Sequence, residues 1–173
     1  ITLSKACERY IAAKENVLSP STIRGYKLLA QHALQEIMQI KIDRLTAEQI
    51  QKAINHYATN HSPKSVRNCH GLLSAVLAMF RPSFVLHTKL PQKEKIELYI
   101  PTDEDVKKLL QAAAGTPLEI PVLLAAFGAL RCGEICALTS EDVFDSCIRV
   151  NKSMVCDSNG EWHIKPPKTV SSN

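Results

Sequence analysis

Arg131 and Glu134 are the residues of this 173-residue chain whose types and spacing point most directly to chemistry. They stand in Arg131-Cys-Gly133-Glu134. An apolar run from Ile120 to Leu130 leads into them, and apolar residues resume at Ile135, Ala137 and Leu138. The run predicts burial, and a charge at its end then needs an anionic partner, because an unpaired buried charge is strongly destabilising. On a helix, Glu134 lies on the same face as Arg131 and can brace the guanidinium. A planar fork of donors held still by a carboxylate suits a phosphate better than a lysine does. A structural ion pair at a helix start fits the same residues equally well. Lys168, in Pro167-Lys168-Thr169, would on its own be an ordinary exposed loop lysine.

The elements that must position these groups follow from periodicity and punctuation. Thr2 caps a first helix to Lys14, with Leu3, Ala6, Cys7, Tyr10 and Ile11 on one face. Ser19-Pro20-Ser21-Thr22 starts a second; Ile23, Tyr26, Ala30, Ala33 and Leu34 turn inward, and Arg24, Lys27 and Gln31 lie off that stripe. Residues 34–45 fit a short helix or an extended connection. Thr46 and Gln49 make a capping box for a third helix carrying Ile50, Ala53, Ile54 and Tyr57. Ser62-Pro63 opens a fourth, running to about Phe80, with Val66, Leu73, Val76, Leu77 and Phe80 in the core and Leu72 at its edge. Its polar strip of Lys64, Arg67, Asn68 and Gly71 suits phosphate and groove contacts, and suits a solvated face as well. Polar residues 82–100 read as a linker. Thr102 then caps a helix that ends at Gly115-Thr-Pro117, and Pro121 marks the start of, or a kink in, the apolar run. A short helix follows Arg131, and Ser140 caps one more turn. Cys147–Val155 alternates like a strand, Asp157–Gly160 is a turn, and Glu161–Lys165 reads as the returning strand.

The stretch Leu-Ala-Ala-Phe-Gly-Ala-Leu-Arg131-Cys-Gly133-Glu134-Ile-Cys-Ala-Leu138, followed by Glu141-Asp-Val143, resembles the first arginine motif of the tyrosine recombinases, the phage-integrase family. Two departures show: Gly128-Ala129 stands where Thr-Gly is usual, and Thr139-Ser140 where a basic residue and Trp are common. Pro167-Lys168-Thr169-Val-Ser-Ser matches the family's lysine turn at the expected distance. The helices holding Leu18-Ser-Pro-Ser-Thr-Ile-Arg-Gly-Tyr26 and Ser62-Pro-Lys-Ser-Val-Arg-Asn-Cys-His-Gly71 are similar to its core-binding domain. The resemblance implies a mainly α chain. A four-helix SAM-like core-binding domain would span 1–85, a linker 86–100, and a truncated α+β catalytic portion with a small antiparallel sheet 101–173. It implies transesterification of DNA through a 3′-phosphotyrosyl intermediate, with no metal and no cofactor. Arg131 becomes the phosphate clamp, Glu134 its brace, and Lys168 the general acid for the leaving 5′-oxygen. Ser21, Thr22, Arg24, Lys27, Lys64, Ser65, Arg67 and Asn68 become candidate DNA contacts. The implied partners are double-stranded DNA at a recombination site and other integrase protomers, as a synaptic tetramer. The setting would be the cytoplasm of a bacterium or its prophage, near the nucleoid.

The bulk numbers agree in part. Residues 1–90 hold 12 Lys/Arg against 5 Asp/Glu, a balance of +7, and residues 91–173 hold 9 against 12, a balance of −3. The first half is thus the candidate polyanion binder, and any phosphate contact in the second depends on placed residues. The six cysteines form no Cys-x-x-Cys pair and read as reduced core thiols rather than zinc ligands. No apolar run is long enough for a membrane span, and no secretory leader opens the chain. With Ile1 first and the end close behind Lys168, the sequence reads as an excised piece. Tyr10, Tyr26, Tyr57 and Tyr99 all precede Arg131, so the nucleophile is expected outside it and the piece itself is expected not to cleave DNA. Two other readings compete: a non-catalytic DNA-binding protein or recombinase remnant, and a helical interaction module without a nucleic-acid role.

Overall fold

A computed structural model describes residues 1–92 and 97–166. The chain divides into two compact units, residues 1–96 and 97–173.

The first unit is helical: α1 (Leu3–Lys14), α2 (Pro20–His32), the single turn α3 (Gln35–Met38), a 3-10 turn at Ile42–Arg44, α4 (Ala47–Thr59) and α5 (Pro63–Phe80). Each start is set by local chemistry. The Thr2 hydroxyl accepts from the Lys5 N–H, Pro20 and Pro63 occupy first turns, and the Ser62 hydroxyl accepts from the Ser65 N–H. Thr46 and Gln49 close a reciprocal capping box at 3.0 and 3.2 Å. The core is built on Leu3, Leu45, Ile50, Ile54, Val66, Val76 and Leu77, the largest fully buried side chains. Leu72, expected at the edge of α5, is buried too. The irregular stretch of the sequence resolves into α3 and the 3-10 turn, entered through Leu34 in the left-handed region at φ 53°. Burial of the Leu34 side chain holds that backbone in place.

Residues 84–91 lie on this unit. Phe84, Leu86 and Leu90 pack against the core, and the Gln51 side chain pairs with both backbone groups of Lys89, at 2.8 and 3.0 Å. The linker expected from residue 86 therefore begins as a strap on the helices, because three apolar residues spaced among polar ones give it something to bury. Arg81, at the end of α5, donates to the carbonyls of Ile42 and Leu45 and stacks over Phe84. One guanidinium thus joins the 3-10 turn, α5 and the strap.

The second unit holds α6 (Asp103–Ala113), α7 (Glu119–Gly128), α8 (Cys132–Ile135), a 3-10 turn at Ser140–Asp142, and the antiparallel pair β1 (Ser153–Cys156) and β2 (Trp162–Lys165). Ser153 faces Lys165, and Cys156 faces Trp162. Pro121 falls in the first turn of α7, where its missing N–H has no helical acceptor to lose. The long strand expected from Cys147 is split. Ile148 bridges back to Val143 and the Arg149 N–H donates to the Asp142 carbonyl, which leaves only Ser153 onward to pair with β2.

Two expectations are corrected here. The apolar run was expected to be buried, yet no residue of α7 is: Ile120 is 69% exposed and Phe127 75%. A helix that is apolar all round needs cover on every side, and the described residues of this unit bury only Ala113 and Ala137 among their hydrophobics. The cysteines also divide. Cys7 and Cys69 are core thiols, pushed up to about 11 and about 12 by burial. Cys132, Cys136 and Cys147 are exposed.

Ala129 ends α7 in the left-handed region at φ 52°, a position glycine fills at little steric cost. This is the site where the sequence departs from the usual Thr-Gly. Ala129→Gly is expected to stabilise the second unit by about 0.5–1 kcal/mol, net of the extra entropy of the unfolded glycine. Urea unfolding of the 173-residue chain measures it, and an unchanged or lower midpoint would show that the alanine conformation carries no strain.

Candidate phosphate and DNA sites

Arg131 is the N-cap of α8, in extended conformation at φ −75° and ψ 150°. Glu134, three residues on, holds it at two points. One carboxylate oxygen accepts the Arg131 backbone N–H at 2.9 Å, and the other accepts the guanidinium at 2.8 Å. The two side chains differ sharply in exposure: Glu134 is 9% exposed and Arg131 71%. The expectation of a buried arginine is therefore wrong, and the reason is the uncovered α7 leading into it. The buried member is the carboxylate. Hydrogen bonds from the Arg131 N–H and then the guanidinium hold its carboxyl below the usual carboxylate range. The result is a fixed anion carrying an outward-facing cation, whose remaining donors meet solvent.

Gly133 is required by packing. A Cβ at this position would lie 2.7 Å from the Ser153 hydroxyl and 2.8 Å from the Met154 carbonyl oxygen. The glycine lets α8 sit directly on the backbone of β1, so the spacing Arg-x-Gly-Glu encodes a cap, a contact and a brace within one turn. Lys168 lies outside the described residues. His163, on β2, is engaged by Asp157 at 2.9 Å, and Asp157 also accepts the N–H groups of Asn159 and Glu161. Asp157, Glu161 and His163 have metal-ligand types within 4.8 Å of one another at the hairpin turn. Hydrogen bonds inside the turn already account for Asp157 and His163.

The tyrosines are held elsewhere. Tyr10 and Tyr26 approach ring to ring at 6.2 Å, Tyr57 stacks on His61 at 3.8 Å, and the Tyr99 hydroxyl donates to Asp105.

In the first unit, Ser21 and Arg24 are exposed on α2, with Thr22 and Lys27 half-buried; Lys64 and Asn68 are exposed on α5, with Ser65 and Arg67 half-buried. Lys27 meets Glu15 at 3.5 Å. Ser21 exchanges a hydroxyl contact with Ser19 at 2.8 Å, and Ser65 with Ser62 at 3.0 Å. Arg67 is the most committed of the set. Its guanidinium donates to the carbonyls of Pro63 and, across the strap, of Pro91. The sequence offered no signal for that second bond, because it depends on where the strap lies. Gly71, four residues beyond Arg67 and seven beyond Lys64, is exposed, and a Cβ there would meet nothing within 4 Å among the described residues.

Residues 2–58 match the family model of the phage integrase N-terminal SAM-like domain. No curated protein matches the sequence. Among solved structures, the chain is similar to the Tn1549 transposon integrase in complex with transposon right-end DNA, at 18% identity and a TM-score of 0.75, covering 99% of this chain and 59% of that one. It is also similar to a lambda integrase tetramer bound to a Holliday junction, at 19% identity and a TM-score of 0.69, covering 96% of this chain and 49% of that one. The chain thus spans well under two thirds of the integrase chains it resembles, and at these identities the likeness is one of fold. No helix among the described residues is long and apolar enough to cross a membrane. Residues 2–58 thus match a phage integrase N-terminal SAM-like domain, and the chain as a whole shares the fold of the integrases it resembles.

Proposed function

We propose that the protein containing this chain carries out site-specific DNA recombination. The first unit grips duplex DNA, and the second contributes the leading part of the phosphoryl-transfer site. The observation that carries this reading is the Arg131–Glu134 pair, with the carboxylate buried and the guanidinium turned outward on a helix seated against β1. In the reaction a tyrosine hydroxyl attacks a phosphodiester, a 3′-phosphotyrosyl bond forms, and the 5′-oxygen leaves with a proton. A 5′-hydroxyl later reverses the step, so no external energy source is required. Arg131 stabilises charge on the pentacovalent phosphate, Glu134 keeps it aimed, and Lys168 supplies the proton. In this reading none of Tyr10, Tyr26, Tyr57 and Tyr99 is the nucleophile. The related integrase structures hold transposon-end DNA and, as a tetramer, a Holliday junction; duplex DNA and further protomers are the partners proposed here.

The covalent step is tested in the full-length protein with a DNA substrate nicked so that cleavage is trapped. Wild type is expected to form a protein–DNA adduct, and Arg131→Ala and Lys168→Ala to slow its formation by about 10²–10³-fold. Adducts formed at wild-type rate by both variants would take Arg131 and Lys168 out of the chemistry, and a wild-type protein that forms none would leave a DNA-binding protein without it.

The DNA face has its own test. Gly71 sits in mid-helix with no steric need among the described residues, on the strip of Lys64, Arg67 and Asn68. Gly71→Ala is expected to stabilise the chain by about 0.5–1 kcal/mol and yet weaken its binding to duplex DNA, because a methyl group intrudes where the backbone of the duplex approaches. Thermal melts and titrations at fixed salt read the two effects. Stabilisation with unchanged affinity would place Gly71 off the DNA face.

A further inference from the structure

A second polar cluster of the catalytic unit lies next to the phosphate site and has no part in it so far. Asp142 is 5% exposed, and three donors converge on one of its carboxylate oxygens. They are the Lys152 ammonium at 2.6 Å and the Thr139 N–H and hydroxyl, each at 2.8 Å. Lys152 reaches the Thr139 hydroxyl as well, at 3.3 Å. The Asp142 carbonyl accepts the Arg149 N–H at 2.8 Å, which draws the approach to β1 into the same knot. The Lys152 bond, then those from Thr139, pull the Asp142 carboxyl down to about 2.

We infer that Lys152 and Asp142 are positioning residues for Arg131: their ion pair fixes α8 against β1 and so sets where the guanidinium points. The inference rests on the function proposed above. α8 is one turn long and has no stability of its own, so its orientation comes from what holds its ends. At the N-terminal end Gly133 rests on Ser153 and Met154. Beyond the C-terminal end, Thr139 is bonded to Asp142 and, through it, to Lys152, the residue immediately before Ser153. Both contacts close on the same short piece of chain. Without Lys152, a buried carboxylate loses its counter-charge. The knot then reorganises toward water, and the α8–β1 spacing is released. A shift of about 1 Å at a phosphate clamp is enough to cost roughly 100-fold in rate.

The test is single-turnover cleavage of nicked DNA by the full-length protein at saturating concentration, with DNA affinity measured separately. Lys152→Met is expected to slow cleavage about 10- to 100-fold while affinity stays within about threefold, and Lys152→Arg to restore the rate. Acting through Arg131, the substitution should cost less than about threefold more in an Arg131→Lys background. Should Lys152→Met fail to fold, the double variant Asp142→Asn/Lys152→Met leaves no unpaired buried charge, and the same slow cleavage is expected of it. Wild-type cleavage by the substituted protein overturns the inference and leaves the proposed function standing. An equal loss in both backgrounds overturns it too, since the effect would then bypass Arg131. A wild-type protein that forms no adduct removes the proposed function and this inference together.

Discussion

The second unit depends on one carboxylate. Glu134 spends one oxygen on the Arg131 backbone and the other on its guanidinium. The same residue therefore starts the helix and aims its most exposed charge. A glutamine could accept only one of these bonds through its single carbonyl oxygen and would offer no charge to the other. The anion is buried and the cation exposed, so the guanidinium faces solvent while the carboxylate that holds it is fixed inside. A pair made only for stability would gain little from leaving its arginine 71% exposed.

The two units are built on different physics. The first has a full apolar core, closed by α4 and α5 and overlaid by the strap at residues 84–91. Arg81 and Gln51 satisfy backbone groups that would otherwise be stranded where the 3-10 turn and the strap meet the helices. The second unit buries few apolar residues among those described and relies on polar knots: Glu134 with Arg131, Asp142 with Lys152 and Thr139, and Asp105 with Thr102 and Tyr99. Each knot sits at a helix or turn start, where unpaired N–H groups donate readily to a carboxylate.

Much of this was legible in the sequence. The caps at Thr2, Thr46, Ser62 and Thr102, the prolines at first turns and the hairpin around Asp157–Gly160 all follow local rules, and the four longer helices of the first unit begin where those rules put them. The Arg131–Glu134 bond followed from spacing alone. What the sequence hid is what depends on distant chain. The exposure of α7 was invisible because apolar composition states a need for cover and does not say whether cover is present. The docking of the strap, the bond from Arg67 to Pro91 and the Asp142–Lys152 pair each join residues 10 or more apart with no periodic signature. The role of Gly133 was readable only as a motif letter; its cause is the Met154 carbonyl beneath it.

The measurement that bears most directly on Arg131 changes the phosphate rather than the protein. Replacing one non-bridging oxygen of the scissile phosphate with a methyl group removes the negative charge that the guanidinium is placed to meet. If Arg131 is the clamp, Arg131→Ala in the full-length protein loses about 10²-fold or more against the natural phosphate and stays within about tenfold of wild type against the neutral one. Equal losses on both substrates would contradict that account and return Arg131 to the role of a structural cap.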